Sequence, residues 1–168
     1  QIFFVGNTMI DSLKFSLDRL KKPSIWDQLS LRKLEYFVLT LHRPANVDDL
    51  ETLSDLLQVI EKSVPDRLIV FPVHPRTKKN FDQIADKFTN IKGIEQLSYF
   101  KFVFLIQHAL GVVTDSGGVQ EETTVLQIPC VTLRANTERP ETVTEGTNIL
   151  IGDDQRKLRQ ALSDMRSQ

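Results

Sequence analysis

The sequence predicts an α/β domain in which a parallel β-sheet is covered by helices on both faces. Short apolar runs typical of buried strands alternate along the chain with segments whose apolar residues recur at helical spacing. Several runs are apolar at consecutive positions, which is typical of parallel strands that are buried on both faces. Polar residues directly follow several of these runs, at the sheet edge where parallel sheets bind ligands.

Six apolar runs with β-branched or aromatic residues are predicted to form strands. They are Ile2–Val5, Tyr36–Leu41, Leu68–Val73, Gly111–Thr114, Cys130–Leu133 and Asn148–Ile151. Lys92–Leu97 lacks this pattern and is predicted to be a connection at the edge of the sheet.

Apolar residues spaced three to four apart predict helices between these strands. The predicted helices are Leu13–Leu20, Leu50–Val64, Phe81–Phe88, Phe102–Ala109, Val119–Leu126, Pro140–Gly146 and Gln155–Met165. Thr8 or Asp11 is the expected cap of the first helix, and Asn46 with Asp49 resembles a capping pair before the second.

The overall composition restricts the partners that the chain attracts. Its formal net charge is −1, from 21 basic and 22 acidic residues, so no general attraction to nucleic acid or to an anionic membrane is expected. No apolar run reaches the roughly 18 residues that a membrane-spanning helix needs. The single cysteine, Cys130, excludes an internal disulfide and fits a cytoplasmic protein.

The stretch Ser116-Gly117-Gly118 joins a predicted strand to the predicted helix Val119–Leu126. Paired glycines let the backbone approach a ligand closely, and the free N–H groups at a helix start carry the positive end of the helix dipole. This combination predicts a phosphate site. Glu121 and Glu122 follow in the first turn, where an ionised carboxylate suits the paired hydroxyls of a sugar.

Other interpretations of this stretch stay open at this point. In one of them, Ser116 is simply the N-cap of the helix, and the acidic residues that follow are there because the helix dipole favours them. Asp115-Ser116-Gly117-Gly118 also occurs in trypsin-like serine proteases, but those are all-β proteins, unlike the alternation of strands and helices here. The sequence contains neither the Walker phosphate loop nor the Gly-x-Gly-x-x-Gly of dinucleotide-binding domains.

Polar residues after other predicted strands extend this candidate site. His42 and Arg43 follow the second predicted strand, His74 follows the third, and Arg139 lies in the loop after the fifth. Because the carboxyl ends of parallel strands share one edge, these residues are expected to converge with Ser116. Structural interpretations compete: a cap or core position for His42, and a surface ion pair with a neighbouring glutamate for Arg139.

A set of motifs distributed along the chain also points to a known family. They are Gly6-Asn7-Thr8, His42-Arg43, Val73-His74-Pro75, Thr114–Glu122 (Thr-Asp-Ser-Gly-Gly-Val-Gln-Glu-Glu), Thr137–Val143 (Thr-Glu-Arg-Pro-Glu-Thr-Val) and Gly146-Thr147. In this order the motifs closely resemble the second half of the non-hydrolysing UDP-N-acetylglucosamine 2-epimerases. The resemblance implies a Rossmann-like three-layer domain, the C-terminal half of a glycosyltransferase-B-type fold with its site between two domains.

On this resemblance, residues 1–168 are expected to be a single UDP-binding domain, a fragment without the family's N-terminal domain. The sequence begins at Gln1, directly before the predicted strand Ile2–Val5, which agrees with that expectation. The family reaction converts UDP-N-acetylglucosamine to UDP-N-acetylmannosamine by eliminating UDP and adding it back. The resemblance implies no cofactor, no metal, a cytoplasmic homodimer as the full-length enzyme, and no turnover by this fragment alone.

The resemblance also implies residues that bind UDP: His42, Phe102, Ser116, Gly117, Gly118, Glu122 and Arg139. In this scheme the Ser-Gly-Gly stretch holds the diphosphate, Glu122 holds the ribose hydroxyls and Phe102 lies against the uracil. Arg139 and His42 reach the phosphates, with His42 as the catalytic residue. Preorganised donors fit this chemistry because a departing diphosphate gains negative charge. Arg43 and Arg134 are expected to be scaffold or loop charges.

The chain departs from the family at Ala45, because the motif His-Arg-x-Glu-Asn usually carries glutamate there. In bacterial members this motif also helps to bind a regulatory UDP-N-acetylglucosamine, so the missing carboxylate is expected to affect that regulation more than the UDP site. Two other functions stay open: the donor domain of a glycosyltransferase-B-type transferase, and a non-catalytic nucleotide-sugar sensor.

Overall fold

The computed structural model describes residue 3 and residues 6–167, which fold around a parallel β-sheet. Its strands are β1 (Tyr36–Thr40), β2 (Leu68–Pro72), β3 (Ile91–Ile94), β4 (Gly111–Thr114), β5 (Cys130–Thr132) and β6 (Asn148–Leu150). They lie in the order β3-β2-β1-β4-β5-β6, and each neighbouring pair is parallel. The predicted parallel α/β fold is therefore confirmed.

Helices connect the strands along the chain. They are α1 (Thr8–Ser16), α2 (Ile25–Gln28), α3 (Pro44–Val47), α4 (Leu50–Ser63), α5 (Pro75–Phe81), α6 (Tyr99–His108), α7 (Gly117–Leu126), α8 (Glu141–Thr144) and α9 (Gln155–Arg166). Short 3₁₀ turns at Leu17–Arg19 and Ala85–Lys87 extend α1 and follow α5. Over the described residues, none of the helices combines the length and apolar character that crossing a membrane requires.

The sheet is buried on both faces because successive side chains of a strand point to opposite sides. In β1, Phe37 and Leu39 pack into a core cluster that also contains the inner faces of α4 and α9. Tyr36 and Val38 point the other way and pack with residues of α6 and α7. Consecutive apolar residues in β1 thus reflect two cores, as the sequence pattern indicated.

Two predicted helix caps were wrong. Asn7 caps α1, because its side-chain oxygen accepts hydrogen bonds from the amides of Met9 and Ile10, whereas Thr8 and Asp11 lie inside the helix. Asp49 alone caps α4 by accepting from the Thr52 amide at 2.7 Å. Asn46, expected as part of that cap, lies in α3 instead.

The boundaries near the sheet edge also differ from the prediction. The helix expected at Phe81–Phe88 lies earlier, at α5, because Pro75 suits a first helical position and the His74 ring accepts from the Arg76 amide. Part of the expected connection Lys92–Leu97 forms the edge strand β3. Residues 2, 4 and 5 of the strand predicted at Ile2–Val5 lie outside the described residues.

The order of the strands reverses between β1 and β4, which lie side by side although they are distant in sequence. Thr40 and Thr114 end these two strands in register, and their hydroxyl oxygens lie 2.7 Å apart. In open parallel sheets, ligands bind beyond the carboxyl ends of the strands at such a switch point. The loops that begin at Leu41 and Asp115 therefore meet where a ligand site is expected.

Candidate functional site

The turn from β4 into α7 leaves the start of that helix available to an anion. Ser116 has an extended backbone at the N-cap position, but its side chain makes no capping hydrogen bond to the described part of α7. Its own amide donates to the Thr114 hydroxyl at 3.0 Å, which fixes the turn. Gly117 and Gly118 open the helix without side chains, so an approaching phosphate meets backbone N–H groups at the positive end of the helix dipole.

Asp115 connects this turn to the loop after β1. Its carboxylate is fully buried and accepts from the backbone amides of His42 and Arg43. It also accepts from the side-chain amide of Asn46 and from His42 Nδ1, the latter at 2.9 Å. Arg43 Nε also donates to the Asp115 carbonyl at 3.0 Å. Since Nδ1 of His42 is held as a donor, Nε2 is the ring nitrogen that remains for a ligand.

The contacts of Asp115 determine its charge. Burial acts to raise the pKa of this carboxyl, but the hydrogen bonds donated by His42, Asn46 and Arg43 outweigh burial and hold the pKa below its usual value. Asp115 is therefore an ionised group at neutral pH that fixes the orientation of the imidazole. The sequence predictions did not assign it a role, although its position between a strand end and the glycine pair was a usable signal.

A cavity of about 400 Å³ brings three of the predicted site residues together. His42, Phe102 and Ser116 line it from the ends of β1, α6 and β4, and His74 and Tyr99 complete part of its wall. The rings of His42 and His74 lie with their centroids 5.5 Å apart. The cavity therefore combines an aromatic face, ring nitrogens and the start of α7, as a binding site for a nucleoside phosphate would.

Glu122 is buried in α7 and neighbours Tyr99, which lines this cavity. Burial raises the pKa of Glu122 to about 7, while the neighbouring Tyr99 hydroxyl acts in the opposite direction and the charge of Glu121 adds to the rise. Burial likewise raises the pKa of Tyr99 to about 12, and the nearby Glu122 carboxylate adds to that shift. Tyr99 links Glu122 to the cavity, and a sugar hydroxyl that reached Glu122 would offer its buried carboxylate another donor.

Glu121 points elsewhere and holds Arg139 in place. Its carboxylate is buried, accepts from the Asn7 side-chain amide and pairs with Arg139 Nε at 2.9 Å. The Arg139 amide in turn donates to the Thr137 hydroxyl, which donates to Gln120 on α7. Arg139 therefore pairs with a buried carboxylate of α7, and not with a neighbouring glutamate at the surface as the competing structural interpretation had it.

A second cavity of about 580 Å³ lies beyond the ends of β5 and β6. Arg43, Ala45 and Asn46 form one side of it, and Arg134 and Asp154 form part of the rest. Ala45 lines this cavity at the position where the family motif is expected to carry a glutamate.

The predicted site residues thus gather at one edge of the sheet. Those that line the smaller cavity or open α7 are His42, Phe102, Ser116, Gly117 and Gly118, while Glu122 contacts Tyr99 and Arg139 contacts Glu121. Within residues 6–167, no three His, Cys, Asp or Glu side chains gather as a metal site would require. The contacts of each of these residues with a ligand stay a prediction.

Comparison with known proteins gives consistent matches. The family described as UDP-N-acetylglucosamine 2-epimerase matches residues 1–168. A relative from Methanocaldococcus jannaschii, named UDP-N-acetylglucosamine 2-epimerase, is 42% identical over 98% of the chain and 48% of its own length. The chain thus spans about half the length of such relatives. A UDP-2,3-diacetamido-2,3-dideoxy-D-glucuronate 2-epimerase from Pseudomonas aeruginosa is 36% identical over 90% of the chain and 42% of its own length.

Solved structures agree with the observed architecture. The Methanocaldococcus jannaschii UDP-GlcNAc 2-epimerase in complex with UDP-GlcNAc and UDP matches with a TM-score of 0.86 and 43% identity, over 99% of this chain and 48% of that one. Escherichia coli heptosyltransferase WaaC with ADP matches at a TM-score of 0.61 and 16% identity, over 91% of this chain and 48% of its own. The second match shows a shared fold alone.

Proposed function

The chain belongs to the UDP-N-acetylglucosamine 2-epimerase family, and on that premise we propose that it is the UDP-binding part of an epimerase. The reaction proposed for the whole protein interconverts UDP-N-acetylglucosamine and UDP-N-acetylmannosamine. One observation carries the proposal: His42, Phe102 and Ser116 line a single cavity at the start of α7. An aromatic face beside an anion-binding helix start suits a nucleoside diphosphate.

In this proposal, the chain holds the leaving group of an elimination and returns it for addition. Gly117 and Gly118 present amides to the diphosphate, and Arg139 adds a guanidinium close by. His42, whose Nδ1 donates to Asp115, presents Nε2 to a phosphate oxygen and donates there when the ring is protonated on both nitrogens. These donors are fixed before UDP departs, so they stabilise the charge that develops on the diphosphate.

The chain is expected to supply only part of the active site of the whole enzyme. We expect residues 1–168 to act as a single UDP-binding domain, with the carboxylates that act at C2 supplied by another domain of a longer protein. For that longer protein we propose a cytoplasmic homodimer. Because a cleft enzyme needs both walls of its site, this chain alone is expected to show no epimerase turnover.

The sugar of the substrate is a separate question. A relative at 36% identity is named as a 2-epimerase of a diacetamido glucuronate linked to UDP, so members of this family differ in their sugars. In our proposal, the site residues of this chain contact the nucleotide and the diphosphate and not the sugar that is epimerised. A second candidate is therefore an epimerase of another UDP-linked 2-acetamido sugar, which assays of the longer protein with both substrates would distinguish.

Two other functions use the same nucleotide site. A transferase would give an acceptor-dependent product, and a sensor would bind UDP-sugars without any chemistry even in the longer protein. The fold shared with a heptosyltransferase is compatible with the transferase. Epimerisation of UDP-N-acetylglucosamine by the longer protein without an acceptor would support the first proposal over both.

Isothermal titration calorimetry with UDP tests the proposed site directly. We expect this chain to bind UDP, and the Glu122→Ala variant to bind it about 10-fold more weakly because the ribose hydroxyls lose an ionised acceptor. Lys92, on the distant strand β3, provides a control substitution to alanine. Equal affinities for UDP in the wild type and the Glu122→Ala variant would contradict the ribose role.

The raised pKa of Glu122 predicts how binding depends on pH. Burial favours the protonated form below about pH 7, and ionisation above that pH creates a better acceptor for the ribose. Uridine is the suitable probe because it carries no phosphate that titrates nearby. Uridine affinity should rise between about pH 6 and pH 8 in the wild type. In a Glu122→Gln variant, affinity should stay flat, and an equal rise there would contradict the assignment.

The same carboxyl group has the opposite effect on folding. Its pKa in the folded state lies above its unfolded value, so the folded chain binds more protons and loses stability as pH rises from about 4.5 to 7. Glu122→Gln removes that loss. The variant should therefore gain more stability over the wild type at about pH 8 than at about pH 5 in urea unfolding.

A further inference from the structure

Arg134 follows β5 and is nearly enclosed by protein. Its side chain is 6% exposed, and Nη2 donates to the Glu138 carboxylate at 2.9 Å. Nη1 is buried without a hydrogen-bond partner among the described residues. A buried guanidinium nitrogen with no acceptor is costly, since it has lost water and gained nothing in exchange.

The unpartnered nitrogen lies at the start of α7. A Cβ placed on Gly117 would lie 3.3 Å from Arg134 Nη1 and 3.9 Å from the Glu138 carboxylate. Only the lack of a side chain at Gly117 leaves this space between the helix start and the guanidinium. The backbone of the proposed diphosphate site and Arg134 therefore face the same small volume.

Glu138 is held at this place by positive charge. Its side chain is 71% exposed, so burial does not fix it there. The hydrogen bond and charge of Arg134 lower the pKa of Glu138, and the charges of Arg43 and Arg139 lower it further. Arg134 thus binds an exposed carboxylate beside a helix start, and Arg43 and Arg139 lie near enough for their charges to act on it. This arrangement suits an anion with more acceptor oxygens.

We propose that Glu138 occupies the place of a phosphate in the free protein, and that Arg134 becomes a phosphate ligand when UDP displaces this carboxylate. This inference rests on the proposed UDP site. It adds Arg134 as a residue that binds UDP and Glu138 as a residue that moves away when UDP binds. A phosphate group offers three acceptor oxygens, which is enough to accept from Nη1 and Nη2 of Arg134 and from a backbone amide at the start of α7. Glu138 swings towards solvent, where its exposed side chain has room.

Arg134 and Glu138 have opposite expected effects on UDP affinity. Arg134→Met should weaken UDP binding about 10- to 100-fold, as expected for loss of charged hydrogen bonds, and should leave uridine binding unchanged. Glu138→Gln should strengthen UDP binding about two- to fivefold by removing a competing charge. Glu141→Gln, an exposed glutamate nearby, is the control and should change neither affinity.

Calorimetric titrations of this chain with UDP and with uridine measure both effects. Because Arg134 is buried, circular dichroism must show that Arg134→Met is folded, and Glu138→Gln decides the question if it is not. Unchanged or weaker UDP binding by Glu138→Gln would overturn the inference. So would an equal loss of UDP and uridine affinity in folded Arg134→Met. A wild-type chain that binds no UDP would instead overturn the proposed function, and this inference with it.

Discussion

Replacing Asp115 with asparagine is expected to lower the free energy of unfolding by about 3 kcal/mol. The carboxylate is fully buried and accepts from two backbone amides, the Asn46 amide and His42 Nδ1. An asparagine has one acceptor oxygen and turns an NH₂ group towards donors, which leaves buried N–H groups unpaired. Urea unfolding followed by circular dichroism at about pH 7 measures the change.

The pH dependence separates this role from simple loss of packing. Because the folded pKa of Asp115 is lowered, its stabilising contribution is complete above its unfolded pKa of about 3.9 and disappears as pH falls through the folded value. The difference in stability between the wild type and Asp115→Asn should therefore shrink on acidification below about pH 4.

A control variant is available at Asp48, which makes an exposed ion pair with Arg76 at 2.6 Å. Asp48→Asn should have little effect on stability because water screens an exposed pair. Equal losses in the two variants, or an Asp115→Asn variant as stable as the wild type, would contradict the proposed network.

Replacing Arg139 with methionine is expected to lower both stability and UDP affinity. The change leaves the buried Glu121 carboxylate with the Asn7 amide but without its charged partner, at a cost of about 2 kcal/mol given that Arg139 is itself partly exposed. Loss of the proposed phosphate contact should weaken UDP binding about 10-fold or more. Urea unfolding and UDP calorimetry measure the two effects on the same preparation.

A double variant separates the two roles of Arg139. Adding Glu121→Gln neutralises the carboxylate that Arg139 had paired with, so stability should return towards the wild-type value. UDP affinity should stay low because the guanidinium is still missing. If UDP affinity returned together with stability, Arg139 would act only by supporting the fold, and the predicted phosphate contact would be wrong.

The fold was largely predictable because strand patterns in a parallel sheet are strong local signals. Tyr36–Leu41 is apolar at every position except Thr40, and β1 (Tyr36–Thr40) lies inside the sheet. The edge strand β3 was missed because its sequence, Ile-Lys-Gly-Ile, is short and half polar, as edge strands often are. The cap at Asn7 was missed because several residues nearby are suitable caps, and sequence alone does not choose between them.

The site was predictable where chemistry and position coincide in the sequence. Ser116 and the glycines follow a strand and open a helix, so their place at the sheet edge follows from the fold. The distinct environments of Glu121 and Glu122 were not predictable, because adjacent residues of one helix point in different directions towards partners distant in sequence. Arg134 was expected to be a scaffold charge, and its closeness to Gly117 emerged only from the tertiary structure.

In the proposed site, a diphosphate binds the backbone amides at the start of α7. Two-dimensional ¹H–¹⁵N NMR of this chain during parallel titrations with UDP and uridine tests it most directly. We predict that UDP shifts the Gly117 and Gly118 amide signals strongly and that uridine, which lacks phosphate, leaves them near their free positions. Saturating UDP binding with both glycine signals unmoved would contradict the account.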